Sequence, residues 1–104
     1  MMLLNVVAQN ADQAREITVY LLENKFIARA TIGKKEIYEL TEDHALEGSE
    51  QYVIKGISKA LLFDTINKKL RKKYPKQMPT LFAEPLIYMD SEQNEQFLER
   101  IVKV

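Results

Sequence analysis

Few residues in this chain of 104 are equipped for chemistry. It has one histidine, His44, and no cysteine. A hydroxyl or thiol nucleophile needs a base beside it, so Ser-His and Cys-His pairs are all but excluded. The three glycines form neither a phosphate-binding loop nor a dinucleotide fingerprint. What remains is Lys55, with Glu50 five positions before it, and the tyrosines Tyr38, Tyr52, Tyr74 and Tyr88. A strand lysine can hold an anion or pair with a carboxylate across a subunit boundary. Tyrosines on strands either line a cleft or pack with a satisfied hydroxyl. Lys55, Glu50, Tyr38 and Tyr74 are therefore the candidate ligand-binding set. No catalytic residue is predicted, and the chain does not read as an enzyme.

His44 stands among Glu42, Asp43 and Glu47. One imidazole with flexible carboxylates is a poor preformed cation site, and only several such loops brought together would improve it. It is the sole candidate metal ligand. The basic run Lys68 to Lys73 suits a helix C-terminus, where cations favour the macrodipole. Lys+Arg and Asp+Glu balance at 15 each, so no nucleic-acid or membrane partner is expected from bulk charge. The segment Gln51 to Ile57 lacks the Gly-aromatic pattern of RNA-recognition strands.

These side chains must be positioned by one small domain, residues 1–104. Met2 to Ala8 is an apolar run that suits a buried strand rather than a signal peptide. With no cysteine to staple it, the chain is expected to be intracellular. Asn10 reads as a helix N-cap with Gln13 as its capping-box partner. Ala14, Ile17, Tyr20 and Leu21 give the helix an apolar face, and Asn24-Lys25 closes it. Phe26 to Leu40 reads as strand, with a bend or bulge at Gly33 to Lys35. A loop from Thr41 to Ser49 leads to a strand from Glu50 to Ile57. A second helix starts near Ser58, carries Leu62, Phe63, Ile66 and Leu70, and stops at Pro75. Leu81 to Tyr88 is a fourth strand. Asp90-Ser91 caps a last helix with Phe97, Leu98 and Ile101 on one face.

The order β-α-β-β-α-β-α is an α+β, ferredoxin-like split β-α-β sandwich with an antiparallel sheet and an extra C-terminal helix. Both long helices should cover one face of the sheet. The strands are apolar on both sides, so the other face should be covered by self-association.

The segment Lys73-Tyr74-Pro75-Lys76-Gln77-Met78-Pro79-Thr80-Leu81, its strand and the closing helix resemble the CutA family of divalent-cation tolerance proteins. That family has a His-Pro-Tyr-Glu-Val-Pro type segment here. Leu21 to Ala30 is similar to its Leu-Val-Glu-Glu-Arg-Leu-Ala-Ala-Cys stretch. Tyr38, Glu50 and Ile54-Lys55 look like its Tyr-x-Trp and Glu…Ile-Lys-Thr regions. The likeness covers nearly the whole chain. Tyr74 stands in place of the family's His, Leu40 of its Trp, Gly56 of its Thr, and Arg29 or Ala30 of its Cys. The resemblance implies a cytoplasmic homotrimer, akin to the PII signalling proteins, that binds a small molecule, an ion or a protein at intersubunit clefts. The implied ion is a divalent cation such as copper, but the soft and imidazole ligands it prefers are missing. An ACT-like module sensing a small metabolite as a dimer is the alternative. A small enzyme using a trimer cleft is a third.

Overall fold

The computed structural model describes residues 1–104. Four strands, β1 (Met2–Ala8), β2 (Ala30–Leu40), β3 (Leu46–Ser58) and β4 (Thr80–Pro85), form one antiparallel sheet in the order β2-β3-β1-β4. Helices α1 (Ala11–Glu23) and α2 (Phe63–Lys73) cross over one face, and α3 (Ser91–Arg100) follows β4. This is the α+β split β-α-β arrangement expected from the sequence.

Alternation along the strands decides which residues meet the helices. Met2, Leu4, Val6 and Ala8 of β1 and Ile54 of β3 pack on Ala14, Ile17 and Leu21 of α1 and Ile66 and Leu70 of α2. All ten of these residues are at most 3 % exposed, and no buried side-chain polar atom lacks a partner. The Asn10 carboxamide accepts from the Gln13 N–H at 2.8 Å, as an N-cap should. The capping box is shifted, however: Gln13 Oε1 accepts from the N–H of Gln9, one residue earlier than the cap.

The other end of α1 explains why β2 begins later than its apolar pattern suggests. Lys25 adopts φ 57° and donates to the Leu22 carbonyl, and Phe26 N–H donates to the Leu21 carbonyl. This pair of bonds is a Schellman closure, with a lysine at the position that glycine usually takes. It tucks Phe26 beneath α1, edge-on to Tyr20 with ring centres 6.3 Å apart. Phe26 and Ile27 are then both buried, although neither belongs to a strand. The expected bulge at Gly33 is absent, because the β2–β3 ladder runs in one register from Ala30↔Gly56 to Leu40↔Leu46. The irregularity lies earlier. Ala28 N–H donates to the Ile57 carbonyl while Ile57 N–H donates to the Arg29 carbonyl, so two residues oppose one. Gly56 makes this possible, since a Cβ there would lie 3.0 Å from Ile27 Cδ1 and 3.2 Å from the Arg29 carbonyl oxygen.

Three further boundaries differ from expectation. β3 starts at Leu46, not Glu50, because the hairpin pairs almost to its tip. The region after β3 opens with a 3-10 turn at Ala60–Leu62 before α2. Ser58 is the last residue of β3 rather than the helix start: it is buried, and its hydroxyl donates to the Phe26 carbonyl, pinning the α1–β2 connection to β3. β4 ends at Pro85, so Leu86 to Met89 are not strand. Asp90 caps α3 by accepting from the Gln93 N–H at 3.1 Å. The chain end is held by Val102 N–H on the Lys25 carbonyl and by Lys59 Nζ on the Val102 carbonyl.

Candidate functional site

The sheet face turned away from the helices is uncovered. Three rows cross it in register. Ile57, Leu3 and Glu84 form one, Thr31, Lys55, Asn5 and Phe82 the next, and Gly33, Val53, Val7 and Thr80 the third. The middle row is polar at its centre. Asn5, only 1 % exposed, donates from Nδ2 to Glu84 Oε1 at 2.9 Å and to the Leu3 carbonyl at 3.2 Å. Lys55 lies beside it, exposed and in no ion pair. Lys55, Arg29, Thr31 and Ile57 line a depression of about 250 Å³, and Lys55, Lys35 and Val53 line another of about 300 Å³. No carboxylate lines either of them.

Glu50 is on the opposite side of the sheet. It is an odd number of residues from Lys55 along an unbroken strand, and at about 3.4 Å per residue the two are roughly 17 Å apart. Glu50 instead forms an ion pair with Lys34 of β2 at 3.1 Å. This hydrogen bond, and then the carboxylate's charge, hold the Lys34 ammonium above its usual range. Tyr38 shares the Glu50 side. Its hydroxyl donates to Glu36 Oε2 at 3.0 Å, and its ring lies over Gly48, where a Cβ would come within 2.9 Å of it. Farther out, Leu40 and Leu46 face each other at 66 % and 72 % exposure. The hairpin thus projects beyond the helices, giving a molecule 49 × 28 × 21 Å.

His44 sits in the hairpin turn. Its N–H donates to the Thr41 carbonyl at 2.9 Å, its φ is 61°, and Thr41 Oγ1 accepts from Ala45 N–H. The left-handed conformation accounts for the residue by backbone geometry, since histidine is among the side chains enriched there. No three His, Asp or Glu side chains gather anywhere to hold a metal ion. Within one chain the donor set does not fit copper or a similar divalent cation.

Tyr74 is on the helical side. Its hydroxyl donates to Glu16 of α1, and Lys73 Nζ approaches the same carboxylate at 3.8 Å. Burial, then the Glu16 bond and charge, raise the Tyr74 phenol well above the ordinary tyrosine range. Lys73 also lies 5.1 Å from the Tyr20 ring centre and 5.9 Å from that of Tyr74. The group clamps the C-terminus of α2 to α1. One chain therefore brings none of Lys55, Glu50, Tyr38 and Tyr74 into a common site, apart from Glu50 and Tyr38 on one hairpin face.

Asn5 and Glu84 carry no marked role in the sequence reading, although each is a polar residue interrupting an otherwise apolar strand. That interruption is the signal by which they could be found.

No family model matches the chain, and no curated protein matches it in sequence. Solved structures do match over essentially its whole length. CutA1 from Pyrococcus horikoshii superposes with a TM-score of 0.88 at 14 % identity, covering 99 % of this chain and 100 % of that one. The periplasmic divalent cation tolerance protein CutA from Archaeoglobus fulgidus does so at 0.85 and 18 %, covering 96 % and 98 %. CutA from Synechococcus elongatus, in complex with a Bis-Tris molecule, gives 0.84 and 12 %, covering 96 % and 92 %. No helix is long and apolar enough to cross a membrane. At these identities the likeness is one of architecture, and this chain has the fold of the CutA1 divalent cation tolerance proteins.

Proposed function

We propose that the chain is a divergent CutA-like homotrimer, a cytoplasmic binding or signalling protein rather than an enzyme, with its ligand at subunit boundaries. The observation that supports this best is the pairing of an uncovered sheet face with a hairpin that outruns its own domain. A two-stranded ribbon is marginally stable alone in water, and one that carries exposed Tyr38, Leu40 and Leu46 gains by lying on another surface. Charge supports the open face as that surface. Residues 36–50 hold Glu36, Glu39, Glu42, Asp43, Glu47 and Glu50 and no lysine or arginine. The depressions on and beside the open face hold Arg29, Lys35 and Lys55 and no acid. Head-to-tail docking of one copy's hairpin on the next copy's open face is a heterologous contact, which closes into a ring when the rotation allows. Lys55 would then meet the carboxylates of a neighbouring hairpin, and Glu50 and Tyr38 would border the cleft between copies.

The divalent-cation tolerance named for the structural neighbours supplies the physiological setting we propose. Any ion would have to be held by residues of more than one copy. Analytical ultracentrifugation tests the charge argument. Lys55→Glu should shift the chain from trimer to monomer with an unchanged far-UV spectrum, and high salt should do the same to the unaltered chain. A trimer indifferent to both would contradict it, and a dimer would favour the ACT-like side-by-side arrangement.

A further inference from the structure

Beyond the open face, a cleft of about 610 Å³ separates α3 from the irregular start of β2. Its volume is that of a small-molecule site. One wall is a single helix face: Gln93, Gln96, Phe97 and Arg100 recur at the spacing of one stripe. The other wall is Arg29, at the bulge, with its pairing partner Ile57. A bulge re-aims side chains off the regular alternation, which is one of its common uses beside binding sites. Met89, just before α3, completes the rim.

The chemistry of this lining is one-sided. Two guanidinium groups and two carboxamides face the cleft, and no aspartate or glutamate does. Neither Arg29 nor Arg100 takes part in any of the ion pairs, which are Arg15–Asp12, Lys34–Glu50 and Lys73–Glu16. The Arg100 guanidinium carbon lies 5.6 Å from the Phe97 ring centre, a cation–π contact that holds the cation beside an apolar surface. Such a site repels a divalent cation and suits an oxyanion with two or more acceptor oxygens, a carboxylate or a phosphate, which guanidinium forks match bidentately. Phe97, Met89 and Ile57 would cover an apolar portion of the same ligand.

We propose that this cleft binds a small organic anion, a carboxylate or phosphate monoester attached to an aromatic or aliphatic group. All of the lining residues come from one chain, but Arg29 and Ile57 also border the open face, so the proposal rests on a docked copy leaving this cleft open. Calorimetric titration with phenyl phosphate and with benzoate tests it and tells the two anion types apart. At least one probe should bind, more tightly than inorganic phosphate or phenol. Arg29→Gln and Arg100→Gln should each weaken it about tenfold, the loss of one charge-assisted contact. Arg100→Lys, which keeps the charge but loses the fork, should fall between. Glu99→Gln, outside the cleft, should leave binding unchanged. Absence of heat with both probes, or binding that survives both arginine-to-glutamine changes, would overturn the proposal. Light scattering on the same samples reports the assembly separately, so failure of one reading is not mistaken for failure of the other.

Discussion

The two faces of the single sheet are built from alternate residues of the same strands, yet they do different work. Toward the helices, Leu4, Val6 and Ile54 meet Ile17, Leu21, Ile66 and Leu70 in a layer closed within one chain. Away from them, Val53, Ile57 and Phe82 surround a hydrogen-bonded Asn5–Glu84 pair and the unpaired Lys55. The closed face accounts for the fold. The open face mixes apolar area with oriented polar groups, as an interface does, rather than being apolar throughout as a core is. Comparing the two teaches that a closed core and an open face are encoded at alternate positions of the same strands.

Substitutions that respect this division should give unequal effects. The largest is expected on the closed face. Ile54→Ala removes a fully buried side chain from the middle of the layer and should cost about 3 kcal/mol in denaturant unfolding. A loss below about 1 kcal/mol would show that the two faces are less different than their burial implies. Ser58→Ala comes next. It strips the Phe26 carbonyl of its buried donor and should cost about 2 kcal/mol, with little change in denaturant slope.

At the helix corner Tyr74→Phe should cost about 1 kcal/mol, because its carboxylate partner is exposed and screened by water. The pH dependence has a definite sign. The phenol's folded pKa is raised, so the unfolded chain loses this proton first as pH rises. The stabilisation is fully present below about pH 10, the unfolded tyrosine value, and declines above it. Unfolding curves of the Phe variant should lose that part of the alkaline decline. An unchanged alkaline slope would place the titration elsewhere.

Much of this was legible in the sequence, and the misses have physical causes. The element order follows from periodicity and from the caps at Asn10 and Asp90, which act over three residues. The start of β2 was hidden because Phe26 and Ile27 look like strand residues while the left-handed Lys25 actually places them in the core. Glycine suggested a bulge at Gly33, but the irregularity follows Gly56, whose missing side chain admits Ile27. The site was harder. Tyr74–Glu16 and Asn5–Glu84 are 58 and 79 residues apart in sequence, and no local pattern joins them. The separation of Lys55 from Glu50 was readable, since an odd spacing on a strand puts two side chains on opposite faces. Arg29 and Arg100 converge only because the bulge and α3 meet in space.

The central claim is that the open face and the projecting hairpin are covered by other copies of the chain. Static light scattering over a dilution series measures this directly, beside the variant Val53→Asp, which places a charge in the middle of the open face and leaves the closed layer intact. The predicted result is a mass of three chains that persists on dilution to micromolar concentration, reduced to one chain in Val53→Asp with its secondary structure preserved. A single-chain mass for the unaltered protein at every concentration would contradict it.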